Sequence, residues 1–127
     1  MKKSQWLATA AIIATAAFMG VDTAAMAAPM TTAQNIAAGK SIAFNRTQGN
    51  CLACHVLPGG TMAGNVGPDL SVLPLKAIFK TKEKLVDFLY DPEKVIPHIN
   101  MPQFGKNKVL THHQMELVAD YLWSLKG

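Results

Sequence analysis

The 127-residue chain is poor in cysteine, in aromatic residues and in charge. Its two cysteines, Cys51 and Cys54, stand two residues apart. A disulfide framework needs several cysteines at separated positions, so the chain is not a cross-linked scaffold. A structural zinc site wants four protein ligands, and there is no second cysteine pair to complete one. Basic residues number 12 against 8 acidic, a formal charge of +4. No basic run is interleaved with aromatics, so this is a mild surface bias and not a nucleic-acid footprint. Neither a Ser-His-Asp arrangement nor a pair of carboxylates stands out as catalytic machinery. Beyond the N-terminal segment there is no internal repeat and no low-complexity tract.

That N-terminal segment reads as a secretory signal peptide. Lys2 and Lys3 form a positive start, Leu7 to Met19 is apolar and uncharged, and Ala25-Met26-Ala27 is an A-x-A cleavage site. The apolar run falls short of the ~20 residues that a membrane span wants. Cleavage after Ala27 removes residues 1–27 and leaves one small domain, residues 28–127, with no membrane attachment expected. Losing two lysines and Asp22 lowers the formal charge from +4 to +3. A domain of this size buries only about two-thirds of its unfolded surface and benefits from an added apolar group.

Cys51-Leu52-Ala53-Cys54-His55 is C-x-x-C-H, the attachment signature of a c-type haem. Two thiols add across the haem vinyl groups, and the imidazole that follows is placed under the iron. Two intervening residues let one turn of chain present both sulfurs to the porphyrin edge. A redox dithiol would be expected in a βαβ setting, which the sequence does not show. Both thiols are consumed by the haem. Two haem propionates would lower the net charge further.

A haem iron of this type usually takes a second axial ligand, often Met. Met101 is the first candidate, because Pro102 disfavours helix at the residue before it and so keeps Met101 in an extended loop. The main competitor is His98, which would give bis-His ligation; Met62, on a glycine-rich loop only seven residues beyond His55, has a short reach around a porphyrin. Met115 sits in a helical pattern and reads as core filler. An open or differently filled position is the remaining alternative.

The domain reads as all-α, with long loops around a cofactor. Thr31 or Thr32 can cap a first helix over Ala33 to Asn45, with Ile36, Ile42, Ala43 and Phe44 inward. Gly39 costs that helix about 1 kcal/mol against Ala, and close approach by another helix is a physical reason to accept it. Residues 58–68, rich in Gly and Pro, form a loop. Proline has a carbonyl but no N–H, so Pro68 can accept from the second ring nitrogen of His55; such a bond fixes the tautomer and makes the ligand more basic. The alternative is a plain surface loop. Thr81 caps a helix over Lys82 to Tyr90, with Leu85, Phe88 and Leu89 inward, and Glu93 to Ile96 adds one turn. Thr111 and Gln114 form a capping box ahead of Met115, Val118, Ala119, Leu122 and Leu125 at helical spacing. His112 and His113 read as neutral, solvated surface residues, and adjacent helical positions make a poor metal pair.

This layout resembles the class I c-type cytochromes across most of residues 28–127. The resemblance implies an N-terminal and a C-terminal helix that cross, with Gly39 and Tyr121 as the matching positions. Gly39 stands twelve residues before Cys51, a longer spacing than in compact members. It also implies that Pro68 accepts from the proximal His55 and that Met101 is the distal ligand. A narrower resemblance, to the SoxX family of sulfur-oxidation cytochromes, rests on residues 49–55, 58–60, Ala63-Gly64-Asn65-Val66-Gly67-Pro68, Met101-Pro102-Gln103-Phe104-Gly105 and Leu110-Thr111. It implies a periplasmic monohaem subunit paired with a SoxA cytochrome. That pair joins thiosulfate oxidatively to a cysteine of a sulfur-carrier protein and releases two electrons, which this subunit relays to a small cytochrome c. The sulfur chemistry would lie at the partner's haem. Two alternatives stand beside this expectation: a free-standing carrier cytochrome, and a haem sensor in which Met101 is displaceable.

Overall fold

The structure is a computed structural model, and it describes residues 28–126. The signal peptide expected over residues 1–27 lies outside the described residues. Within them the chain forms four α-helices and no strand, as expected for an all-α fold: α1 (Thr32–Phe44), α2 (Leu75–Phe79), α3 (Lys82–Tyr90) and α4 (His112–Ser124). Single tighter turns occur at Cys51–Ala53 and Pro92–Lys94. No helix of the described residues is long and apolar enough to cross a membrane.

The two long helices start in the same way. Thr31 caps α1 and Thr111 caps α4, and in each a glutamine three residues on, Gln34 or Gln114, returns a bond to the cap backbone. Each box satisfies two N–H groups that the first helical turn leaves unpaired. The box at α4 follows the sequence expectation. At α1 the Gln34 half was not foreseen, and the helix spans Thr32–Phe44 instead of Ala33 to Asn45. Asn45 leaves the helix because its side chain turns the chain, accepting from the Thr47 N–H at 2.9 Å and the Thr47 hydroxyl at 2.8 Å.

Helix α4 is the centre of the core, with α1 packed on one side and α3 on another. Met115, Val118, Ala119 and Leu122 face inward as expected, and Leu117 and Tyr121 are buried too. A helix with neighbours on two sides needs a wider apolar face than one stripe. Leu125 lies past the helix and is half-buried. At the crossing with α1, a Cβ on Gly39 would fall 1.8 Å from the Leu117 carbonyl oxygen and 3.0 Å from the Tyr121 Cβ. The expected close approach at Gly39 is therefore real, and Tyr121 is part of it. Phe44 meets Tyr121 edge-on, with ring centroids 6.2 Å apart, a favourable aromatic geometry. Asp120 ties the layers together, accepting from the Asn35 side chain of α1 at 3.2 Å and pairing with Lys82 of α3.

Helix α3 has the expected bounds and the expected Thr81 cap. Leu85 and Leu89 are buried with Val86, whereas Phe88 is half-buried and rests on Phe79 of α2, centroids 5.1 Å apart. Helix α2 was not foreseen, since five residues carry too little periodicity to register. It forms because Leu75 is buried against the core. The extra turn expected at Glu93 to Ile96 is found at Pro92–Lys94. Proline's fixed φ suits the first position of a turn.

Candidate haem site

The Cys51–Ala53 turn is set up by the chain that precedes it. The Gly49 N–H bonds back to the Ile42 carbonyl at 3.2 Å and the Asn50 N–H to the Asn45 carbonyl at 2.9 Å. Asn50 then takes a left-handed conformation (φ 47°, ψ 36°), which asparagine adopts more readily than most residues. The Cys51 carbonyl accepts from the N–H of both Cys54 (3.2 Å) and His55 (2.9 Å). One tight turn thus carries both sulfurs and the imidazole, as the spacing predicts.

The loop at residues 58–68 is more than a surface loop. It runs back along the turn and is bonded to it: Gly64 N–H to Leu52 carbonyl at 2.8 Å, Gly67 N–H to Cys54 carbonyl at 2.8 Å, and, just beyond, Leu70 N–H to Val56 carbonyl at 3.0 Å. Pro68 then meets His55, its carbonyl oxygen 2.8 Å from Nδ1. A carbonyl can only accept, so Nδ1 carries the hydrogen and donates it. The lone pair of the neutral ring is thereby placed on Nε2, the nitrogen available to a metal. Gly67 lies so close under the ring that a Cβ there would be 2.3 Å from His55 Cε1.

Both cysteines are half-buried. Burial pushes the Cys51 thiol up to about 11, partly opposed by a backbone hydrogen bond and reinforced by nearby Cys54. Redox dithiols work with a depressed thiol pKa, so this environment argues against a dithiol-exchange site.

The candidate distal residues separate by environment. Met101 is half-buried and packs against the core on the long loop between α3 and α4. His98 is exposed and held at φ 61°, and Met62 is 85% exposed. Met115 is 1% exposed inside the core, the filler that its helical spacing implied. The other two histidines lie on the surface of α4, His112 3.5 Å and His113 3.4 Å from the Glu116 carboxylate. Among the described residues no group of three or more His, Cys, Asp or Glu side chains could hold a metal ion.

Two polar groups were missed by sequence reading. The Tyr121 hydroxyl is buried and has no hydrogen-bond partner. Burial raises its pKa, and the charge of Cys51, were it ionised, adds to the effect. An orphaned hydroxyl beside the attachment turn is a donor with a missing acceptor. Asp91 is the one charged residue of the buried set among the described residues. The crossing marked the Tyr121 ring but not its unpaired hydroxyl, and no local signal announces the burial of Asp91, because the covering residues are distant in sequence. The donor set of Cys51, Cys54 and His55, the close approach of Gly67 to the His55 ring and the unpaired Tyr121 hydroxyl together fit a covalently attached haem.

A family model described as Cytochrome c matches residues 36–126. The chain belongs to the cytochrome c family. The match takes in α1 from Ile36 onward, the attachment turn, the Met101 loop and α4. A search of curated proteins found no match. This cytochrome carries covalently bound haem c, for which Cys51 and Cys54 are the attachment pair, and its function is haem-based electron transfer. The iron of that haem supplies reversible one-electron redox chemistry. Class I cytochrome c domains are typically extracellular or periplasmic.

Proposed function

We propose that this cytochrome is the electron-accepting subunit of a periplasmic thiosulfate-oxidising complex, with His55 and Met101 as axial ligands. Its partner is a SoxA-like cytochrome, which holds the sulfur chemistry. There thiosulfate is joined to a cysteine of a sulfur-carrier protein: a sulfur–sulfur bond forms, the thiol proton leaves and two electrons are released. A single haem takes one electron at a time, so each event loads this subunit twice. The electrons pass on to a small cytochrome c.

The observation that carries the reading is that the SoxX-like string Gly64-Asn65-Val66-Gly67-Pro68 is bonded to the attachment turn, through the Gly64 and Gly67 N–H groups and the Pro68 carbonyl 2.8 Å from His55 Nδ1. The Pro68 bond by itself fits any class I cytochrome c; the string around it is what points to SoxX. A second support is that, with both thiols committed to haem and with His55 and Met101 on the iron, no catalytic constellation stands out among the described residues to act on a substrate. Thioether ligation raises a haem potential relative to bis-His, which suits an acceptor.

The test is a pull-down of the tagged protein from the periplasm of thiosulfate-grown cells, with the gel stained for haem. A stoichiometric second haem protein, and thiosulfate-dependent reduction once the carrier protein is added, is the expected result. A lone haem band would overturn the subunit reading in favour of a free-standing carrier.

A further inference from the structure

Residues 91–106 leave α3 and return toward α4 as one long loop with Met101 on its far part. Inside it, order is local: the Pro92–Lys94 turn, extended by the Val95 and Ile96 N–H groups donating to the Pro92 carbonyl at 3.1 and 3.0 Å, the left-handed His98, and an Ile99 N–H to Ile96 carbonyl bond at 3.3 Å. What closes it is at the base. The Lys106 N–H donates to the Tyr90 carbonyl at 3.1 Å, and Gly105 lies so close to the Tyr90 ring that a Cβ would be 2.1 Å from Cδ2. Across the same two strands of chain, Lys106 Nζ stands 3.3 Å from Asp91 Oδ2. Further out, the Gln103 side chain donates to Glu93, which is exposed.

The two side-chain links are unequal. The Asp91 side chain is 4% exposed, and its Oδ1 has no partner at all. If the base of the loop opened, this carboxylate would lose the one positive charge paired with it while still largely out of water, an arrangement that burial makes strongly unfavourable. The Glu93–Gln103 link is solvated on its acidic side and adds little net.

We infer that Asp91 and Lys106 are positioning residues for the distal ligand: their ion pair clasps the two ends of the 91–106 loop and so keeps Met101 from swinging away. This rests on the reading of Met101 as the distal ligand. Neither residue touches the haem chemistry directly; each acts by making the open loop costly.

The test uses the haem-loaded protein and follows the weak far-red band of the Met-ligated ferric form, carbon monoxide binding to the reduced form, and far-ultraviolet circular dichroism of the helices. Lys106→Met strands the carboxylate, and Asp91→Asn removes its charge while keeping its size. Both are expected to speed carbon monoxide binding, Lys106→Met by about tenfold or more, as the Met-detached minority grows. The band should fade at a temperature below helix melting. Lys106→Arg should restore the wild-type rate, and Glu93→Ala should leave it unchanged. The clasp is overturned if both variants bind carbon monoxide at the wild-type rate. It is equally overturned if the band is lost only as the helices melt. A wild-type protein without the far-red band would sink the Met101 reading itself, and the clasp with it.

Discussion

At the scale of single residues, the site is built from groups with one job each. His55 has two ring nitrogens: Nδ1 keeps its hydrogen and donates it to the Pro68 carbonyl at 2.8 Å, which leaves the lone pair on Nε2. Met101→Ala is expected to keep haem attached, because the cysteines are untouched, but to lose the far-red band and lower the potential; an unchanged ferric spectrum would remove Met101 as ligand. Tyr121 carries a prediction in pH. Burial raises its pKa above the ordinary tyrosine value of 10.0, so the folded state holds the phenolic proton more tightly than the unfolded chain. Its contribution to stability is therefore complete below about 10 and falls as pH climbs through the raised value. Burial is the larger cause and persists when Cys51 is a thioether. Tyr121→Phe should flatten the loss of thermal stability on the alkaline side, and an equally steep alkaline loss in the variant would assign it to other groups.

At the scale of elements, the α1–α4 crossing decides the architecture. Glycine at position 39 lowers helix propensity by about 1 kcal/mol, yet the Leu117 carbonyl lies where a side chain would go. Gly39→Ala sets the two effects against each other. The clash is with rigid backbone at 1.8 Å, and overpacking of this kind costs typically ~1–3 kcal/mol. A net loss of stability is expected in denaturant unfolding, and a variant more stable than wild type would show that the helices can move apart freely. The α4 capping box and the Thr81 cap could be read from local spacing, because each bond spans three residues. Helix α2 could not, since its existence depends on what covers Leu75.

At the scale of the whole molecule, a small chain joins two crossing helices to two long loops, one carrying the Pro68 partner of His55 and the other carrying Met101. Residues 58–68 are tied to the attachment turn by main-chain bonds, and residues 91–106 are closed at their base by Asp91, Lys106 and Tyr90. A core of this size leaves little margin, so the covalent haem is part of the fold's stability as well as of its chemistry. Replacing both Cys51 and Cys54 by Ala is expected to abolish covalent haem and to collapse the cooperative thermal transition. A folded, haem-free double variant with a sharp transition would show that the helices hold on their own.

The parts of this protein that its sequence determined alone are those written within a few residues. They include the C-x-x-C-H turn, the threonine caps, the bounds of α3, the glycine marking a helix crossing, and the proline that keeps Met101 out of a helix. Spacing suffices for these, because a turn or a cap involves only near neighbours. Tertiary structure alone decided the rest. It set the breadth of the buried face of α4, which depends on two packing partners, and it ordered α2. It also separated half-buried Met101 from exposed His98 and Met62. Last, it buried Asp91 opposite a lysine at the far end of its loop. Whether a polar side chain meets water or a distant partner is a property of the packed chain, and no local pattern encodes it.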